Sequence, residues 1–599
     1  MVRLLPCFFP FGYLDVPNEA REMREWEKDI EETCLRLTPP LLLASYDSWK
    51  YPESDLDQHA SQVASRIKIV EQWVGKEVPR LLNRLYDLLE ERDKNNLITD
   101  SSLRIRGCIV VAASVFVNPR KDPDGSSEAE IDRDPWTNAT NRLLSLRILQ
   151  HPFLSLTSIH NFTVAQLDSN MISYILDDYL KPIFRATPSS SINASTGRIA
   201  KIDPNLSRGV TTMSGGAASM QDETMWKGGD LETSSQTDVL GEKILFDVEH
   251  GDEILQKRHR ALGCFNVLYI CCSSILTAQE SGTDLWQDNW PLILPPLLAL
   301  LEDSTPLYRL LGSRILVTTL LKSKSTSSLV GTLLLKTGVA TLFRQKLEAN
   351  LTFISTKLSA ALLQSSAEAL IQLTQATTMD THLSLHLPRN AVLDGGKERF
   401  EHWSKLMEEG VIRVWAYAPT LVSSLDDVLI NLETNADENG IESDTEASDV
   451  INASIQVLDR LAQPELLGLG MARYLDLALE FLSAQLIGLE MRLNRHEKAE
   501  QASLSLNREI CATKAMQSLL FVCKEAPGIR KWSSRCLDAA ARCWVLLQDQ
   551  QDRRQVTILF SHLHGIVQAL SNAHPAFMSQ QFQKLLDLDR TVFAPLVEI

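Results

Sequence analysis

Residues 289–316 read NWPLILPPLLALLEDSTPLYRLLGSRIL, a leucine run broken by prolines, an acid, an arginine and a glycine. The breaks fall where two helices and an intervening turn would need them. Pro295 and Pro296 mark a helix start or kink, because proline fits the first turn but costs roughly 3 kcal/mol in an interior. Leu297, Leu298, Leu300 and Leu301 then bury one face, and Asp303-Ser-Thr ends it. Thr305 and Pro306 read as the N-cap and first residue of a second helix, with Leu307, Leu310, Leu311 and Ile315 as its apolar stripe. Arg309 lies one turn in, within reach of Asp303 or of an equivalent acid in a neighbouring repeat. Gly312 costs about 1 kcal/mol relative to alanine inside a helix, so it implies close approach between helices.

A helix pair of this kind cannot bury its faces alone and must stack on others. The order of proline, leucine helix, aspartate turn, arginine and small residue resembles the HEAT repeat, with Tyr308-Arg309 and Gly312 in the places of its valine-arginine pair and alanine. The expected fold is therefore all-α, a HEAT-like α-solenoid of stacked helix pairs with disordered insertions. Helical periodicity supports this elsewhere. In 67–89 the residues Ile67, Val70, Val74, Val78, Leu81, Leu82, Leu85 and Leu89 form one stripe, and 20–37, 103–117, 140–150 and 165–184 read similarly. Further helices are expected within 245–280, 328–347, 353–376, 398–415, 451–493, 503–524 and 529–548, and no run of alternating strands is evident.

Composition divides the 599 residues into an N-terminal helical region at 1–185, a Ser/Thr/Gly/Asp-rich disordered linker or insertion at 186–243, and a repeat region at 244–599. The linker is the expected domain boundary. A shorter polar interruption covers 118–135. An acidic loop is expected at 433–449, ETNADENGIESDTEASD, with seven acids and no lysine or arginine. Its Ser443, Thr445 and Ser448 sit among acids, as acid-directed kinases prefer, so they are candidate phosphorylation sites beside the plainer reading of a solvated loop.

With 59 basic against 76 acidic residues the formal charge is −17, which repels nucleic acid and anionic membrane in the absence of a basic patch. Neither is an expected partner. The start, MVRLLPCFFPFGYLD, lacks a long apolar core and a small-residue cleavage site, so it does not read as a signal peptide. Apolar runs such as 108–117 are too short to span a bilayer. Ten cysteines without a C-x-x-C pair imply buried reduced thiols, with Cys536 and Cys543 on one helix face, and a cytoplasmic and nuclear setting. The triplet Asn138-Ala-Thr140 is then a chance match to a glycan signal.

Catalytic signatures are weak throughout. Gly468-Leu-Gly470 lacks the third glycine and preceding strand of a nucleotide motif. His382 and His386 have ligand spacing, but Asp380 is the nearest carboxylate and Pro388 follows, which favours a loop or helix end over a metal site. His562 and His564 diverge on a helix. Trp286, Trp290, Trp403, Trp415, Trp532 and Trp544 could mark an interface, though at helical spacing they read more readily as core. No catalytic, cofactor-binding or metal residues are expected, and the chain reads as a non-enzyme.

The segment WPLILPPLLALLEDSTPLYRLLG at 290–312 resembles the signature of the Tel-two-interacting protein two family. KERFEHWSKLMEEGVIRVWAYA at 397–418 and CKEAPGIRKWSSRCLDAAARCW at 523–544 are similar to that family in the same order. The resemblance spans about 245–548 and leaves the N-terminal 185 residues unmatched. It implies a non-enzymatic subunit of the TTT complex, beside the sister Tel-two and Tel-two-interacting-one proteins. That complex is a co-chaperone working with the ninety-kilodalton heat-shock chaperone on phosphatidylinositol-3-kinase-related kinases, and in fungi the subunit also associates with the ASTRA assembly. No catalytic residue comes with the resemblance. Pro295, Pro296, Asp303, Pro306, Arg309 and Gly312 match the motif as repeat geometry. An ordinary HEAT-repeat adaptor, for transport or a phosphatase, fits the same pattern.

Overall fold

The computed structural model describes residues 18–37, 68, 71–94, 103–117, 138–154, 167–184, 192–193, 198–199, 263–280, 285–303, 305–321, 327–353, 358–378, 389–417, 440–490, 506–526, 528–548 and 554–597. Their fold is all-α and built of stacked helices. The one exception is a two-residue antiparallel ladder, β1 (Ile192–Asn193) with β2 (Arg198–Ile199), pairing Ile192 with Ile199. It lies inside the stretch expected to be disordered; the rest of 186–243 is outside the described residues. The interruption at 118–135 is also outside them.

The chain divides into two compact units, one made of Met1–Asp303 with Thr318–Val339, the other of Ser304–Val317 with Ala340–Ile599. In the first, α1 (Asn18–Arg36) packs on α2 (Val78–Lys94) and α3 (Leu103–Ser114), and α4 (Ala139–Leu149) covers α2 and α3. Trp26 on α1 donates its indole N–H to the Leu88 carbonyl at 2.8 Å. Asn138 caps α4, its Oδ1 accepting from the Asn141 amide at 2.8 Å, so the apparent glycan triplet serves a helix start. A further run comprises α5 (Ser169–Tyr174), a π-helical stretch Ile175–Leu180 and α6 (Lys181–Phe184). It packs on α7 (Cys264–Glu280) and α8 (Leu285–Glu302).

Helices from both sides of 186–243 thus share one core. Asn266 on α7 donates to the Val115 carbonyl at 2.6 Å, and Ser173 donates to Asn289 Oδ1 at 3.0 Å. The expected domain boundary is an insertion within a unit. Burial overrides composition here, because α3 and α5 need α7 and α8 to cover their apolar sides.

Helix α8 also begins earlier than expected. It starts at Leu285, so Pro291, Pro295 and Pro296 lie inside it, and the expectation of a helix start at Pro295 and Pro296 is corrected. Each proline withholds an amide from the i→i−4 ladder. Burial of Trp286, Trp290, Ile293, Leu294, Leu297, Leu298, Leu300 and Leu301 holds the helix together across them.

The second unit contains α9 (Pro306–Ile315), α11 (Val339–Asn350) and α12 (Ser359–Thr378); α10 (Ser327–Thr337) precedes α11 in the chain. Next come α13 (Arg389–Met407) with a π-helical stretch Glu408–Ile412, then α14 (Gly440–Leu461), a 3₁₀ turn Gly468–Tyr474 and α15 (Leu475–Ile487). The last are α16 (Asn507–Val522), α17 (Gly528–Leu547), α18 (Arg554–Ala573), α19 (Pro575–Leu588) and α20 (Arg590–Val597). Helices α9, α12, α14, α16 and α18 pack each on the next as one row, while α15, α17 and α20 form a second row beside it.

Helix α14 corrects the acidic loop. The segment from Gly440 is helical and carries Ser443, Thr445 and Ser448, while 433–439 lie outside the described residues. Val450, Ile451, Ala453, Ile455, Val457, Leu458 and Leu461 are buried along α14. That stripe anchors the helix, and helix propagation is cheap once nucleated.

Candidate interaction surface

The motif residues fall into both units. Pro296 is buried and Pro295 half-buried within α8, and Asp303 is buried just after its end. Pro306 is the first residue of α9; Thr305 before it is extended (φ −87, ψ 125) and makes no capping hydrogen bond through its side chain. Gly312 is buried midway along α9. Arg309 donates from Nη1 to Asn350 Oδ1 at 3.1 Å, and its guanidinium lies 4.7 Å from the Phe353 ring centre.

Asn350 was not expected, yet it organises this corner. It is fully buried at the end of α11 and donates towards Ser313 Oγ (3.4 Å) and Ser366 Oγ (3.3 Å), which themselves lie 3.3 Å apart. A polar cluster therefore joins α9, α11 and α12 inside an apolar core. No spacing in the sequence could pair residues 37 to 53 positions apart.

The six tryptophans singled out above are all buried. Trp415 ties the two rows, stacking on Phe481 of α15 at 4.2 Å and donating to Ser454 Oγ of α14 at 3.0 Å, while within the second row Trp532 donates to Asp476 and Trp544 to the Val592 carbonyl at 3.0 Å. Gly468, at φ 49, opens the 3₁₀ turn, and Gly470 lies under the Phe400 ring. Those glycines serve backbone geometry and packing. His562 and His564 diverge as expected, one towards Gln517 and the other edge-on to Trp544. His382 and His386 lie outside the described residues. Among the described residues no three His, Cys, Asp or Glu side chains are placed to hold a metal ion.

Nine cysteines are described, every one a free thiol and buried or half-buried, with Cys536 and Cys543 both buried on α17. Burial pushes the thiols of Cys271 and Cys536 up to about 12 and that of Cys523 to about 11. No helix among the described residues is long and apolar enough to cross a membrane.

Two surfaces stand out. In the first unit a cleft of about 780 Å³ is lined by Arg106, Asp168, Ser173, Asp177, Asp178 and Asp288, among others. Much of its charge is internally matched: Arg106 pairs with Asp168 at 2.9 Å, and Lys181 with Asp177 at 2.5 Å.

In the second unit, side chains link the solvent sides of α12, α14, α16 and α18. Gln364 donates to Gln456 at 2.7 Å, and Gln456 donates to Cys511 Sγ at 3.5 Å. Arg460 pairs with Glu368 at 3.3 Å, Lys514 with Asp459 at 3.0 Å, and Ser518 donates to Asp459 at 2.6 Å. Gln517 reaches His562 at 3.3 Å. Burial, then Lys514, lower the His562 pKa below its usual value. The whole arrangement is polar and bridged, with Phe521 67% exposed at its edge.

Residues 246–484 match the model of the Tti2 family. The match includes the segments at 290–312 and 397–418 and ends short of 523–544. No curated protein and no solved structure matches the chain. Helices α7 to α14 fall wholly inside the matched span, and over these residues the chain is similar to the Tti2 family.

Proposed function

We infer that the chain is a non-enzymatic scaffold subunit of the TTT complex, and that it supports maturation and stability of phosphatidylinositol-3-kinase-related kinases. The family match over 246–484 carries this reading. The stacked helix row of the second unit supports it, since such rows offer extended surfaces for other proteins. Its partners are then the sister Tel-two and Tel-two-interacting-one proteins, the client kinases and the ninety-kilodalton heat-shock chaperone machinery, in cytoplasm and nucleus; in a fungus the ASTRA assembly joins them. Pro295, Pro296, Asp303, Pro306, Arg309 and Gly312 serve HEAT-like repeat geometry in this reading, and phosphorylation of Ser443 or Ser448 would regulate a partner.

Affinity purification of the full chain tests the proposal. Recovery of both sister subunits with at least one of the kinases is expected. Recovery of unrelated cargo alone would favour a general transport or phosphatase adaptor. Depletion gives a second measure: kinase abundance should fall, and unchanged abundance would refute the maturation role.

A further inference from the structure

Helices α11, α12 and α13 share a small cavity of about 10 Å³, lined by Arg344, Thr374, His402 and Trp403 among others. Trp403 is only 3% exposed, and its indole N–H is buried with no acceptor among the described residues. The Nε–H of Arg344 is likewise buried and unbonded, and its guanidinium forms no ion pair among the described residues. Both groups donate and neither accepts. Buried donors are normally satisfied, so these two call for an acceptor in the cavity they line.

The charges nearby leave a positive surplus. Each carboxylate in the lining has a cation of its own, Glu348 with Lys405 at 2.7 Å and Glu409 with Arg413 at 3.2 Å. Glu398, whose charge is felt by Arg344, has His402 at 3.5 Å, but burial holds the His402 pKa below 6.5 and the ring is neutral near pH 7. Arg399 lies 5.9 Å from the Trp403 ring centre and spends its donors on Thr378, with no carboxylate paired to it among the described residues. Two guanidinium groups, Arg344 and Arg399, are thus set against the single carboxylate of Glu398.

We propose that this cavity is a chloride site, with the Trp403 indole and the Arg344 guanidinium donating to the ion. A cavity of this size holds one occupant of about the size of a water molecule. A carboxylate or phosphate brings three or more atoms and would overfill it. Water fits by size, yet it brings two hydrogens of its own and leaves the surplus charge in place. The site is independent of the complex inferred above.

The test melts the full chain in sodium chloride and in sodium gluconate of matched ionic strength, gluconate being too large for the cavity. Chloride in tenfold excess over its dissociation constant should raise the melting temperature by about 2–4 °C over gluconate. Arg344→Gln and Trp403→Phe should each abolish that difference, and Arg542→Gln, at an exposed pair on α17, should keep it. A variant at a buried position can fail to fold, so crystals of the unaltered protein grown in sodium bromide give a second reading. One anomalous peak beside Trp403 and Arg344 is expected there. Equal melting in the two salts, a full chloride response in either variant, or water alone at that place in the bromide crystals would each overturn the proposal.

Discussion

Asn350 is fully buried and bonded to Arg309, Ser313 and Ser366. Asn350→Ala would strand polar groups inside an apolar core, which costs about 1–3 kcal/mol; urea unfolding of the variant should show a loss of that size. Gly107 on α3 makes a complementary point, because an added Cβ would meet the Tyr174 ring at 2.6 Å. Gly107→Ala should destabilise by about 1–3 kcal/mol through overpacking, and Gly312→Leu in the buried middle of α9 by a similar amount. Gly396 on α13 has nothing within 4 Å of such a Cβ. Gly396→Ala should therefore stabilise by about 0.5–1 kcal/mol, the ordinary helix preference. The same urea titration checks all three glycines, and a neutral Gly312→Leu would remove the case for close approach at that position.

At the scale of helices, apolar periodicity was a sound guide. The stripes at 20–37, 103–117 and 140–150 correspond closely to α1, α3 and α4. Local signals misled where burial acted at a distance: three prolines sit inside α8, and α14 starts within an acid-rich tract. The candidate face was the least legible feature, because Gln364 and Gln456 are 92 positions apart and no periodicity brings them together. Two helices also carry a pH response. Burial, then Arg344, lower the pKa of His402 on α13 below the usual 6.5, and burial does the same for His562 on α18. As pH falls below 6.5 the unfolded chain takes up protons that these folded imidazoles resist, so stability declines until the folded groups also protonate. Urea midpoints should drop between pH 7.5 and 5.5, and His402→Gln with His562→Gln should make that drop smaller.

For the molecule as a whole, the nine described thiols are free and at least half-buried. Native protein should react slowly with a chromogenic disulfide reagent, at Cys108 and Cys511 first among these nine, and all ten cysteines should titrate once unfolded. Deleting 190–240 should leave the melting temperature unchanged, since packing between α3, α5, α7 and α8 holds the first unit together on either side of that stretch. The same arrangement governs the order in which the chain can mature during synthesis. A ribosome emits roughly 5–20 residues per second, and the sides of α3 and α5 await α7 and α8 while the intervening stretch is made. The first unit is completed by 318–339, which emerges only after 304–317 of the second. A nascent chain arrested before residue 263 would therefore show uncovered apolar helix faces, and neither unit can finish folding as an uninterrupted run of newly made polypeptide.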